Sequence, residues 1–222
     1  MTNDHVPYDA VIHWLCDADC NLKCKYCFGL SNEWFQKKNI WDDGPSAQAH
    51  WQNGEYKKSG GARPIDSARL LSVLEQTGKI FKIVFTANHG EPFIISNFIE
   101  ACQKITEKQY IALTTNLTLP AVRRFADAVH PQRVCWIVAS AQLDEMERLG
   151  LTDQYIKNFF FLKAQGFPVV SQAVAYPSLQ SKATNVRKLF QKNGIKLEFT
   201  PFYGTYDGLE YPKAYTDKQL AV

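Results

Sequence analysis

The sequence predicts an α/β fold built on parallel strands, and three observations carry that prediction. Short apolar runs alternate with helical patterns from one end of the chain to the other. Each run is nearly continuous in Val, Ile and Phe, as expected of strands buried on both faces. Cap residues and glycines punctuate the segments between the runs, so each reads as a crossover helix of a right-handed βαβ unit. Periodicity alone leaves two architectures open, a doubly wound sheet and part of a (βα) barrel.

The strands are read at "AVIHWL" (10–15), "FKIVFTA" (81–87), "YIALTTN" (110–116), "VCWIVASA" (134–141), "PVVSQAVAYP" (168–177) and "KLEFTPF" (196–202). The first helix, "IDSARLLSVLEQTG", has Asp66 as a side-chain cap and Gly78 beyond its end. "SNFIEACQKITEKQ" opens on Ser96 as its cap, and "LPAVRRFADAVH" carries Pro120 near its first turn, where a missing N–H costs little. "YIKNFFFLKAQG" and "SKATNVRKLFQKNG" end on Gly166 and Gly194, the residue type that left-handed C-caps favour. From Tyr203 the chain turns polar and shows no clear final helix.

Composition bounds the class. The chain has 222 residues, enough for one large domain or two small ones. A formal charge of +3 argues for neither nucleic acid nor a membrane surface. No apolar run approaches the ~20 residues of a membrane helix, and "MTNDHVPYD" is no signal peptide, so the chain reads as cytoplasmic. In that reducing compartment clustered cysteines are metal ligands or catalytic groups in preference to disulfides. Residues 28–63 stand apart as a polar insertion carrying Trp34, Trp41 and Trp51. It reads either as irregular helices packed through their Trp rings or as an active-site lid.

Four of the six cysteines fall in "WLCDADCNLKCKYCFG", just after the first strand. Cys20, Cys24 and Cys27 are spaced CxxxCxxC. Structural zinc takes four ligands, usually as two separated pairs, and no second pair exists in the chain. A thioredoxin-type pair of Cys24 and Cys27 leaves Cys20 unexplained. A [4Fe–4S] cluster held by three thiolates keeps one iron open. Cys16, Cys102 and Cys135 are read as small buried hydrophobes.

"CNLKCKYCF" resembles the cluster-binding loop of the radical SAM superfamily, CxxxCxφC with an aromatic before the last Cys. The resemblance implies a [4Fe–4S] cluster on Cys20, Cys24 and Cys27, with S-adenosylmethionine on the fourth iron and Tyr26 beside its adenine. It extends to "ANHGEP", similar to the Gly-Gly-Glu-Pro segment that holds the methionine amino group. Gly90, Glu91 and Pro92 match, while His89 replaces the first Gly and is equally placed for ligand contact or for the turn. "TTN" resembles the TTNG of many members, with Asn116 as a cofactor neighbour and Leu117 in place of the Gly. Ser140, in "ASAQ", matches a Ser that contacts the cofactor in relatives, and Gln172 points either into a polar pocket or into packing. All four segments end predicted strands at one rim, where parallel α/β folds assemble active sites.

What the resemblance implies is a partial (βα)₆ barrel of parallel strands, a core over residues 1–202, and a tail at 203–222 that reads as the lead into a further segment. It implies reductive cleavage of S-adenosylmethionine to a 5′-deoxyadenosyl radical that takes hydrogen from a peptide, nucleotide or sugar. A low-potential electron donor such as flavodoxin or ferredoxin would supply the electron, and Lys23 and Lys25 flank the ligands where an acidic donor docks or where solvent alone meets the loop. The alternative is a non-catalytic iron–sulfur or metal redox protein with Cys16 as fourth ligand.

Overall fold

The computed structural model describes residues 8–15, 20–27, 51–52, 55–56, 64–86 and 90–220. Cys16 and His89 lie outside the described residues, as do Trp34 and Trp41. Of the 28–63 segment, the described part is a two-residue antiparallel pairing of β2 (Trp51–Gln52) with β3 (Glu55–Tyr56).

The main sheet contains β1 (Ala10–Leu15), β4 (Phe81–Thr86), β5 (Tyr110–Thr115), β6 (Val134–Ser140), β7 (Val169–Ala175) and β8 (Leu197–Pro201), six strands in strict chain order. Every neighbouring pair is parallel. The outermost strands, β1 and β8, do not pair with each other, so the sheet is open. Chain order with parallel pairing places every strand's C-terminal end on one rim.

The connections carry the helices α1 (Ser67–Glu75), α2 (Phe98–Thr106), α3 (Ala121–Ala128), α4 (Leu143–Leu149), α5 (Thr152–Ala164) and α6 (Ala183–Lys192). Asp66 caps α1 as expected, its carboxylate accepting from Arg69 N at 2.9 Å. Ser96 does not cap α2. Asn97 holds that position, and its amide instead ties Ile65 from both sides, at 2.8 Å to the nitrogen and 2.8 Å to the oxygen. The helix therefore starts where a tertiary contact fixes it. Gly166 and Gly194 take the left-handed conformation after α5 and α6, with φ of 84° and 74°. Sequence reading missed α4 and placed the start of α5 three residues late.

The helices cover one sheet face. Ile83, Phe85, Ile111, Leu113, Ile137, Ala173 and Leu197 from the strands meet Leu74, Phe98, Ile105, Phe125, Leu162 and Phe190 from the helices in one buried cluster. Each large side chain buried there contributes roughly 1.5–3 kcal/mol. On the opposite face a smaller cluster joins Val84, Ala112 and Cys135 to Tyr8, Tyr110 and Trp136. Cys135 sits at a register shift between β5 and β6, a bulge that turns it into this cluster. Burial on both faces, expected of all strands, fails for β1, where Val11, His13 and Leu15 are exposed. Val170 on β7 is also exposed. A run of apolar residues signals a strand without saying whether both faces are covered.

Beyond β8 the chain forms a hairpin of β9 (Gly204–Tyr206) and β10 (Leu209–Tyr211), then the short helix α7 (Asp217–Leu220). Its turn is Asp207-Gly208, both at positive φ, 49° and 77°, as a two-residue hairpin loop requires. Tyr215 fastens the segment to the domain, donating to Ala175 O at 2.8 Å and accepting from Phe202 N at 2.7 Å.

Candidate functional site

The cysteine loop leaves the end of β1 and turns tightly at its C-terminal half, where Cys27 N donates to Cys24 O at 3.1 Å. Leu22 and Tyr26 are buried; Lys23 and Lys25, between them, are exposed. That alternation pins the backbone by its apolar residues and leaves the three thiols half-buried at the rim. Cys20 Sγ accepts from Leu22 N at 3.4 Å and from Asn116 Nδ2 at 3.8 Å. Burial pushes the Cys20 thiol up to about 12, with the charges of Glu91 and Cys27 adding to it. Burial also raises Cys24, as do Cys20, Cys27 and Glu145 nearby. Unliganded, these two thiols are protonated at neutral pH; they become thiolates only where a cation or cluster supplies compensating charge.

The end of β5 holds the loop from one side. Asn116 Nδ2 donates to Asn21 Oδ1 at 2.8 Å, and Asn21 Nδ2 donates to Thr118 Oγ1 at 2.9 Å. Asn116 Oδ1 in turn accepts from Thr118 N at 3.0 Å and Thr118 Oγ1 at 2.6 Å. Leu117 follows in the left-handed conformation, φ 59°, with its side chain fully buried. Its neighbours impose this: Leu117 N donates to Thr115 Oγ1 at 3.0 Å and its carbonyl accepts from Asn158 Nδ2 at 2.8 Å. The backbone here keeps a glycine-type conformation although a leucine occupies it.

Glu91 lies beneath, at the end of the β4 connection, after a bend at the half-buried Gly90. Its carboxylate is buried and accepts three hydrogen bonds: from Thr115 Oγ1 at 2.7 Å, Asn116 N at 2.7 Å and Phe93 N at 3.2 Å. Burial raises the carboxyl from 4.5 to about 7, against the pull of those three donors. The acid thus laces the end of β4 to the end of β5.

From the other side the loop is held by the segment after β6. Ser140 Oγ accepts from Gln142 Nε2 at 2.7 Å, and Gln142 Oε1 lies 3.5 Å from Cys24 Sγ, which donates to it. Glu145 in α4 accepts from Lys23 N at 2.8 Å. Tyr26 stacks on Tyr176, just past β7, with ring centroids 3.8 Å apart and planes 11° from parallel. That stack belongs to a second buried cluster with Leu179, Phe202 and Tyr211. Both polar atoms of the Gln180 amide are buried without a hydrogen-bond partner, while the buried Tyr176 hydroxyl lies beside the Asp144 carboxylate, which with burial raises its proton affinity.

The structure therefore gathers Cys20, Cys24, Tyr26, Glu91, Asn116 and Ser140 into one hydrogen-bonded and stacked assembly at one rim. Gln172 pairs with Ser140 and Glu198 in the sheet register and is half-buried. Among the described residues no three His, Cys, Asp or Glu side chains converge on a point where one metal ion would sit. Sequence reading missed Asn21, Thr118, Gln142, Glu145 and Tyr176. Nothing local marks them; Glu145 meets its loop partner across 122 residues and Gln142 across 118.

An open parallel α/β sheet with a cysteine loop at its C-terminal rim defines the structural class. No family model and no curated protein matches the chain. Solved structures do. A structure described as native anSMEcpe with bound AdoMet aligns with a TM-score of 0.61 and 19% identity over 92% of this chain and 57% of that one. One of anSMEcpe with bound AdoMet and the Cp18Cys peptide gives 0.58 and 18% over 89% of this chain and 54% of that one. Streptococcus suis SuiB gives 0.53 and 18% over 94% and 43%. The fold is thus the partial barrel of radical SAM type. The chain spans little more than half the length of the anSMEcpe structures it matches.

Proposed function

We propose that this chain is the core of a radical SAM enzyme, with Cys20, Cys24 and Cys27 holding a [4Fe–4S] cluster and S-adenosylmethionine bound beside it. The observation that carries the reading is the tethering of a CxxxCxxC loop to two strand ends, by Asn116 and by Gln142 with Glu145, at the rim of this fold. Bound together, cluster and S-adenosylmethionine supply one-electron reductive cleavage of a sulfonium C–S bond and, through it, hydrogen abstraction from a substrate.

The residues fit those groups in their chemistry. Three thiols on one loop, close enough for the charge on one to disfavour the next, form a donor set for three irons. The Gln180 amide is buried with no partner for either polar atom, and a buried group of that kind calls for a ligand that supplies the missing bonds. Glu91 has spent three acceptor positions and keeps a fourth for an ammonium. Asn116 and Ser140 act on the cofactor through Cys20 and through Gln142 with Cys24, and Tyr26 faces the adenine.

For the substrate, the structural neighbour holding a peptide favours a peptide over a nucleotide or sugar. Lys23 and Lys25 are exposed beside the ligands and suit an acidic electron donor such as flavodoxin or ferredoxin. Residues 1–202 form the core in this reading.

The test is direct. Protein purified without oxygen and reconstituted with iron and sulfide is mixed with S-adenosylmethionine and dithionite, and 5′-deoxyadenosine is sought by mass spectrometry. Product that disappears in Cys24→Ala upholds the reading. A stable cluster with no product refutes it.

A further inference from the structure

Glu145 is a buried acid on the first helical turn after β6, in a helix anchored by fully buried Met146. A carboxylate in that position must be paired, and Arg148 does so in a fork: Nε to Oε1 at 2.8 Å and Nη2 to Oε2 at 2.9 Å. The guanidinium stands on the solvent side, its side chain 56% exposed against 11% for Glu145. That fork alone would satisfy a structural acid. Yet Oε2 also accepts from the backbone nitrogen of Lys23 at 2.8 Å, inside the CxxxC span between Cys20 and Cys24.

We infer that Glu145 is a positioning residue for the cysteine loop: held by Arg148, its carboxylate grips the Lys23 amide and fixes the backbone from which Cys20 and Cys24 present their thiols. This rests on the reading of the loop as a cluster site. Asn116 holds the same loop from the β5 side, so Glu145 completes a two-sided clamp.

The experiment reads the loop first without iron. Hydrogen exchange is followed by mass spectrometry on the peptide covering residues 20–27 in wild-type protein, Glu145→Ala and Glu145→Gln. Loss of one hydrogen bond from the loop speeds exchange of the Lys23 amide by about tenfold in the alanine variant. Glutamine keeps an oxygen for that amide and restores most of the protection. Alkylation of Cys20 and Cys24 quickens in the same order. Iron and sulfide retained after anaerobic reconstitution then fall in Glu145→Ala and recover in Glu145→Gln. Glu145→Met, of similar length and good helix propensity, replaces the alanine variant if that one does not fold. Wild-type exchange and alkylation in Glu145→Ala or Glu145→Met, in protein whose wild type takes up iron and sulfide, overturn the role of Glu145. Wild-type protein that takes up neither overturns the cluster reading, and with it the ligand this clamp would serve.

Discussion

Replacing Glu91 by glutamine removes one titrating group from the interior and leaves its volume nearly unchanged. In the folded apoprotein burial raises this carboxyl from 4.5 to about 7, although Asn116 N, the Thr115 hydroxyl and Phe93 N hold it partly down. Between those two values the folded state binds more protons than the unfolded state, so stability falls as pH rises through the window. At about 1.4 kcal/mol for each pH unit separating them, the fall is about 3 kcal/mol, and it is complete above pH 7 or so. Glutamine has no proton to lose and shows no such fall. Urea unfolding of the apoproteins, at a series of pH values across the window, gives both profiles. Their difference cancels every other titrating group. A difference that stays constant with pH refutes the reasoning, because it would mean that the buried carboxyl has the proton affinity of an exposed one.

Other perturbations follow from the same contacts. Leu117→Ala costs about 2–5 kcal/mol by urea unfolding, since the side chain is fully buried. Leu117→Gly is still destabilising, because relief of the left-handed backbone offsets only about 1–2 kcal/mol of that loss. Asp66→Ala removes the α1 cap and costs about 1 kcal/mol by the same measurement. Tyr176→Phe deletes a buried hydroxyl beside Asp144, and calorimetry shows weaker binding of S-adenosylmethionine to the variant. Cys16→Ala retains iron after reconstitution and Cys24→Ala does not; a closed four-cysteine site would lose iron in both.

The strands were legible because each is a run of large apolar residues, and the rim followed from their parallel order. Of the helices, α4 was not legible: "LDEMERL" has few apolar positions, and Met146 does most of its anchoring. Asp207-Gly208 is a hairpin signal in plain view, but its flanking runs are three residues each, too short for alternation to register. The cysteine loop stood out through its spacing and through its resemblance to a known cluster-binding loop. Its supports did not, because Glu145, Gln142 and Tyr176 are ordinary residues whose meaning lies in contacts made across most of the chain. Leu117 sits between the two cases. It was noticed as a departure from glycine, and only the backbone angle revealed that the conformation had been kept.

The stack of Tyr26 on Tyr176, closed over by Phe202 and Tyr211, sets an order in time. During synthesis the three thiols emerge well before Tyr176, Phe202 and Tyr211, the aromatic residues that seat their loop. At about 5–20 residues per second, Tyr211 follows Tyr26 by about ten to forty seconds. Through that interval the loop lacks its aromatic seat, although Asn116, Gln142 and Glu145 are made before the seat closes. In the proposed cluster reading, iron and sulfide delivered before Tyr211 is made would meet a loop without its aromatic seat.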